Sequence, residues 1–468
     1  MPRRTPGRAW WRAGAALAAC GLLLGQSVAQ AGGPIAVGGA NFGLQGQPFI
    51  WDPAALPVRY RVDPGPLSKR PDGTIVLDHA SGVARVRSMF DVWQNVATAA
   101  ISYNHAGDIL PTGSYTGGPV ATVQNFNAVS ASCDAGTQSP IIFDADGSIF
   151  RGLGLPSGVI GFAGTCKLDA ANGRIVSGEA ALNGRFQDGI SSPQLSAAEF
   201  DMAFTHEFGH FSGMDHSQIN VDVLLQPVRR CDLNELAGLP LMFPVLYCQA
   251  RVSVGLPVLA PDDAAWISRL YPVTGTPPPG KTLTSATYGT ISGTVFFTDG
   301  VTQAQGVNVI ARSTTNPLGV GVSVVSGYPF TGNFGQSVTC RDPANPTPQT
   351  CTNLGGSVFG SRDPRKAGVF DIPVPAGSYT LEVESIHRAF VGGSRVGPLG
   401  VPIRNPGQDA RLPNAVTVAA GQTVSGVDFV LQGTPPRLDS LESARLWLRD
   451  PLLLWQRKEN LRAEFLPV

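Results

Sequence analysis

The stretch His206-Glu-Phe-Gly-His-Phe-Ser-Gly-Met-Asp-His-Ser217 gathers three imidazoles and one carboxylate at fixed offsets. His206 and His210 are four residues apart, so on a helix they project from one face a turn apart. Glu207 follows the first histidine, where its carboxylate can reach a water on a metal without ligating the metal itself. Gly213 suits a left-handed stop, after which the chain doubles back to deliver His216. Three neutral imidazoles with one open position make a catalytic zinc site, because a structural site would be closed by a fourth protein ligand. The competing reading is an amphipathic helix carrying surface histidines, although this stretch takes three of the six histidines in the chain.

Such a site needs a rigid helix under it. Ser196 with Glu199 three residues on forms a capping box, and Leu195 with Phe200 can form the hydrophobic staple. These signals predict a helix over 197–212, with His206 and His210 in its later turns. Leu56 to Val62 alternates with period two and reads as a first strand. Asp78 to Ala100 has helical spacing, with Val83, Val86, Phe90, Trp93 and Val96 on one stripe, which makes Trp93 a core residue. Pro111 to Pro140 is turn-rich and yields no element. Ile141 to Ile149 reads as a strand running into an acidic turn, where Asp144 and Asp146 could hold a calcium ion. An Asp-Gly turn making its own hydrogen bonds is the plainer reading, because the acids lack EF-hand spacing. Gly158–Thr165 and Arg174–Asn183 read as the next two strands. Pro261-Asp-Asp-Ala opens a further helix, with Asp262 and Asp263 as ordinary first-turn acids favoured by the dipole and given no catalytic role.

The spacing H-E-x-x-H-x-x-G-x-x-H resembles the metzincin zinc proteases. Those enzymes place a methionine in a tight turn below the metal, and the one methionine after His216 is Met242, in Leu-Pro-Leu-Met-Phe-Pro. Ser217 after the third histidine and the Met-Phe-Pro turn resemble the matrixin branch. So do Leu259 to Pro272, similar to the matrixin closing helix, and Met89-Phe-Asp-Val-Trp93, similar to the first helix. The similarity runs from about Phe49 to Pro272. The chain departs from animal matrixins in its longer His216–Met242 gap, which carries an extra cysteine. It also lacks their second set of zinc histidines and their latency cysteine. The resemblance implies an α+β metzincin-like domain, a twisted and mostly parallel sheet with an active-site helix. It implies Met242 as a hydrophobic floor beneath the histidines, and a cleft-lining edge strand near Phe162 to Gly164 that would pair with an extended peptide. The specificity pocket would lie around Met242 to Arg251.

Arg3, Arg4, Arg8 and Arg12 precede an apolar run over 13–25 and a small-x-small site, Ala29-Gln-Ala31, the pattern of a cleaved secretory signal. The rival is a lipoprotein anchored at Cys20, since Leu17-Ala-Ala-Cys20 resembles a lipobox. No later stretch is apolar for long enough to span a bilayer. With Cys20 set aside, six of the seven cysteines remain, an even number suited to an oxidising compartment. Sequence leaves their connectivity open; proximity favours Cys133–Cys166, Cys231–Cys248 and Cys340–Cys351. Acidic and basic residues balance at 34 each, and no basic stripe argues for nucleic acid.

Beyond a proline-rich linker at 274–287 the pattern turns to short alternating strands with glycine turns, which implies an all-β sandwich over 288–433. Its Pro-Ala-Gly-Ser-Tyr-Thr-Leu stretch resembles carboxypeptidase regulatory-like, transthyretin-like domains, whose role is structural or adhesive. His387 reads as an isolated surface residue. A short helical, amphipathic tail covers 434–468. The division expected is therefore signal 1–31, catalytic domain 32–273, linker, sandwich and tail. The function expected is a secreted zinc endopeptidase acting on protein or peptide, with His206, His210 and His216 as ligands and Glu207 as general base. The alternative is a catalytically silent protein that binds a cell-surface or matrix polymer through the sandwich.

Overall fold

A computed structural model describes residues 33–35, 37, 46–169, 172–217, 219–220, 231–243, 246, 248–304, 306–329, 364–384 and 410–431, together with the backbone of 337–342 and 345–352. The expected signal, Cys20, His387 and the tail lie outside them.

Alternation along the first strands builds a sheet with two dressed faces. The strands are β1 (Ile50–Trp51), β2 (Val58–Val62), the hairpin β3 (Ser68–Lys69) and β4 (Ile75–Leu77), β5 (Tyr103–Asp108), β6 (Pro140–Asp144), β7 (Gly161–Asp169) and β8 (Arg174–Asn183). Six of them form one sheet in the order β5-β2-β6-β8-β7, with β1 pairing the start of β8. All pairings are parallel except β7 on β8. In β6, Ile141 and Phe143 join one hydrophobic cluster and Ile142 joins another; in β8, Ala180 and Leu182 do the same opposite Ala181. That is the period of two expected of a sheet covered on both sides.

One face carries α1 (His79–Gln94). Asp78 caps it by accepting from the Ser81 amide at 2.8 Å, and the helix buries Val86, Met89, Phe90 and Trp93. Trp93 is core, as expected. The other face carries α2 (Val123–Asp134) and α3 (Ser148–Gly152), which bury Phe126, Val129, Ile149 and Phe150. Helix α2 falls inside the stretch where the sequence yields no element. Its start is marked by Thr122, whose hydroxyl accepts from the Asn125 amide at 3.1 Å.

After α4 (Ala197–Phe211), α5 (Leu233–Gly238) and α6 (Pro261–Leu270) comes the all-β half: β9 (Tyr288–Phe296), β10 (Asn308–Ser313), β11 (Gly321–Val325), β12 (Ser337–Asp342), β13 (Asn345–Thr352), β14 (Val369–Pro375), β15 (Gly377–Glu384), β16 (Ala410–Arg411), β17 (Val416–Val418), β18 (Thr423–Val424) and β19 (Phe429–Val430). One sheet runs β11-β10-β15-β16, with β17 also on β15. A second runs β14-β9-β18, with β19 also on β9. Val309, Val322, Val324 and Leu381 from the first, with Ile291, Val295, Phe370 and Ile372 from the second, are all buried in one cluster.

The two halves meet at the linker. The same hydrophobic cluster continues from the sandwich through Trp266 and Ile267 of α6 into the parallel-sheet half. Residues 274–287 are tied to the body: the Thr282 amide donates to Ala97 O at 2.8 Å and Lys281 Nζ to Val96 O at 3.0 Å. Across the junction Trp266 Nε1 donates to Ser323 O at 2.8 Å, and Arg269 pairs with Asp371 at 2.6 Å.

Two of the three expected disulfides are formed, Cys133–Cys166 and Cys231–Cys248. The side chains of Cys340 and Cys351 lie outside the described residues. Disulfides are typical of extracytoplasmic proteins. No helix among the described residues is long and apolar enough to cross a membrane.

Candidate metal centre

Helix α4 begins where the capping residues predict. The Glu199 amide donates to Ser196 Oγ at 3.2 Å, and the Ser196 amide donates back to the Glu199 carboxylate at 2.8 Å. Phe200, Phe204, Phe208 and Phe211 form its buried stripe. The helix lies close on the sheet because β7 and β8 offer glycines beneath it. A Cβ at Gly161 would lie 2.2 Å from the Phe204 ring. Phe90 of α1 stacks on Phe208 at 4.0 Å, and Trp93 Nε1 donates to Thr205 O at 2.7 Å. The far end is capped by aromatic donors: Trp51 Nε1 to Phe211 O at 2.8 Å and the Tyr271 hydroxyl to Ser212 O at 2.6 Å. Gly213 then takes φ +86°, the left-handed turn the sequence called for.

The turn brings the three histidines together. Nε2 of His216 is 3.0 Å from Nε2 of His210 and 3.1 Å from Nε2 of His206. Zinc–imidazole bonds of about 2.0–2.1 Å in a tetrahedron would set ligand nitrogens about 3.3 Å apart, so the three atoms suit one small cation. The rings are oriented from behind. His206 Nδ1 donates to Leu241 O at 2.7 Å and His210 Nδ1 to Met214 O at 2.9 Å, which fixes the tautomer that leaves each Nε2 lone pair facing the cluster. Burial, then His210, pushes His206 down to about 3; burial pushes His210 down to about 4. His216 is held well below its usual value by burial and by the other two imidazoles. Neutral imidazoles are the form that binds a metal.

Met242 sits against the helix beneath this cluster. A Cβ on Gly209 would lie 2.3 Å from Met242 Sδ, so only glycine at 209 admits the methionine at this depth. The turn is held from below by Asp263, fully buried, which accepts from Met242 N at 2.9 Å, Leu241 N at 2.8 Å and Ala260 N at 2.7 Å. The expectation that Asp262 and Asp263 are ordinary first-turn acids is therefore corrected. Both are buried and both accept backbone amides, Asp262 from Ser323 at 2.8 Å. A Pro-Asp-Asp at a helix start signals dipole compensation equally well, so the local pattern could not separate the two roles.

Glu207 on α4 faces β7 near Ala163; burial raises its pKa to about 8, the Ala163 amide pulling the other way. Ala163 lies within the edge segment singled out from the sequence. Its strand pairs with β8 on one side, and no other strand among the described residues pairs with it. Part of the expected specificity loop lies outside the described residues. Arg251, at its end, is buried and donates to Leu236 O at 2.5 Å and Leu239 O at 2.7 Å.

Asp144 and Asp146, the acids that could hold calcium, spend their oxygens on local partners. Asp144 accepts the Ile149 and Phe150 amides at 3.1 and 2.8 Å, capping α3. Asp146 accepts the Ser148 amide at 3.0 Å and pairs with Lys69 at 3.1 Å. The Asp-Gly turn reading is the one the geometry favours. Among the described residues the other donor cluster is Cys133, Cys166 and Glu179, and its two sulfurs form a disulfide. Comparison with known proteins returns no protein-family model and no curated protein that matches this chain.

Proposed function

We propose that the chain is an exported zinc-dependent endopeptidase with a metzincin-like catalytic half. The observation that carries this reading is the convergence of three Nε2 atoms at 3.0 and 3.1 Å, two of them on rings whose Nδ1 atoms are held by carbonyls. His206, His210 and His216 would hold the ion. When bound, zinc supplies Lewis acidity toward a peptide carbonyl and an acidified water at the open position.

The chain's own groups then do the rest. Glu207 accepts the proton of the attacking water and returns it to the leaving amine. Its carboxylate faces Ala163 of the strand beside which a substrate would lie. The edge of β7 near Phe162 to Gly164, unpaired among the described residues, offers backbone groups to an extended peptide, a strand-addition mode suited to an unfolded protein segment. Met242, filling the space over Gly209, keeps the histidines from collapsing downward.

Glu207→Gln tests the assignment. The variant should keep the metal content of the parent and lose casein hydrolysis by about a hundredfold or more, the scale of a general base. Retained hydrolysis, or loss of metal with it, would refute the role given to Glu207.

A further inference from the structure

The three ligands are not held alike. The rings of His206 and His210 each donate to a backbone carbonyl. His216 Nδ1 is buried and has no partner among the described residues. The orientation of His216 is therefore set through its backbone. Its own amide donates to Asp215 Oδ1 at 2.7 Å, and the next amide, Ser217 N, donates to Met242 O at 2.8 Å. The Ser217 side chain leads out of the catalytic half altogether. Its hydroxyl lies 3.3 Å from the hydroxyl of Ser323 on β11. Asp262 Oδ1 accepts the Ser323 amide at 2.8 Å, and the Ser323 carbonyl accepts from Trp266 at 2.8 Å. Ser217 and Ser323 are wholly shielded from solvent, and Asp262 nearly so.

From this chain of contacts we infer that Asp262 is a positioning residue for the third metal ligand, completed by β11 of the sandwich, so that the C-terminal half governs how tightly the centre holds its ion. The inference rests on reading the three histidines as a metal site. A buried carboxylate that loses the Ser323 amide has an unmatched lone pair and must turn or draw in water. The Ser323 hydroxyl that meets Ser217 then shifts, and His216, with no acceptor behind its ring, gains freedom that metal binding has to remove. Groups behind a ligand typically change affinity tenfold to a hundredfold. The sandwich therefore contributes to the metal centre through one strand and one acid, rather than standing beside it as a separate adhesive module.

The test is zinc affinity of the full chain, measured by competition with a chromogenic chelator. Asp262→Ala and Ser217→Ala should each weaken binding by about tenfold to a hundredfold with an unchanged far-UV spectrum. Asp262→Asn should recover most of the affinity, since an amide oxygen still accepts from Ser323. Arg269→Ala removes the ion pair with Asp371 at the same junction without touching Ser217, and its zinc affinity should match the parent. Should Asp262→Ala fail to fold, Ser217→Ala alone decides. Parental affinity in both Ser217→Ala and Asp262→Ala, or an equal loss in Arg269→Ala, would overturn the inference. His216→Ala should abolish tight binding; if it binds zinc as the parent does, the site assignment itself is overturned.

Discussion

Replacing Asp263 by alanine should unravel the turn beneath the histidines. Its two oxygens accept three backbone amides, from Leu241, Met242 and Ala260, at 2.7 to 2.9 Å. The three residues are at most 5 % exposed and Asp263 is fully buried, so water has little access to the orphaned groups. Each unmatched buried amide costs about 1–3 kcal/mol. Relief from burying the acid and partial rehydration of the vacated space offset some of this, leaving a net loss of about 3–5 kcal/mol, near the upper limit for a point mutation. Asparagine separates the hydrogen bonds from mere volume. With its oxygen toward Leu241 and Ala260 it keeps two acceptors and turns an NH₂ toward the Met242 amide, so its loss should fall near half that of alanine. Urea unfolding followed by tryptophan fluorescence gives both values, and metal content after gel filtration reports the turn itself. A loss below about 1 kcal/mol for alanine would refute the reasoning, because such a value is typical of a surface change.

Other expectations follow from the same geometry. Gly209→Ala gains about 1 kcal/mol of helix propensity, yet its Cβ would meet Met242 Sδ at 2.3 Å and Trp93 at 2.9 Å; a net loss of about 1–3 kcal/mol should appear in thermal melts. Arg85 donates to Asp201, Gln187 and Ala197 O and covers the Phe200 ring at 4.8 Å, clamping α1 to the start of α4. Arg85→Ala should lower the melting temperature, and lysine should not restore it, because the fork of donors is lost. The metal-free chain should lose stability in acid. His206 and His210 are depressed to about 3 and about 4, so the unfolded chain takes up protons first as pH falls below about 6.5; the histidine contribution is complete above that pH and disappears toward pH 3–4. Melting temperatures between pH 7 and 4 check this, with His210→Asn expected to flatten the slope.

Much of the site was legible because its determinants are local. A histidine pair one turn apart, a glycine at the stop and a Ser-x-x-Glu cap all act within a few residues, and each lands where its spacing says. Strand β8 spans Arg174–Asn183, the range read for it from the sequence. What escaped depends on distant partners. Helix α2 is built from Asn, Ser, Ala and Val with little amphipathic contrast, and its helical state comes from packing on β6, β7 and β8. Asp262 and Asp263 look like surface acids until the Met242 turn and β11 arrive from elsewhere in the chain. Proline-rich composition marked 274–287 as a linker, while its amide and lysine contacts to the residues after α1 are long-range and carry no local signature. The acids at 144 and 146 suggested a cation because carboxylates collect around hard ions. Here backbone amides and one lysine occupy them instead.

The central claim is tested most directly by the zinc content of the purified chain, read together with casein cleavage before chelation, after it, and after zinc is restored. The account predicts one zinc per chain, cleavage that stops on chelation and returns with the metal, and neither property in His210→Ala. A chain without zinc, or one that binds zinc yet leaves casein and other unstructured proteins intact, would contradict it.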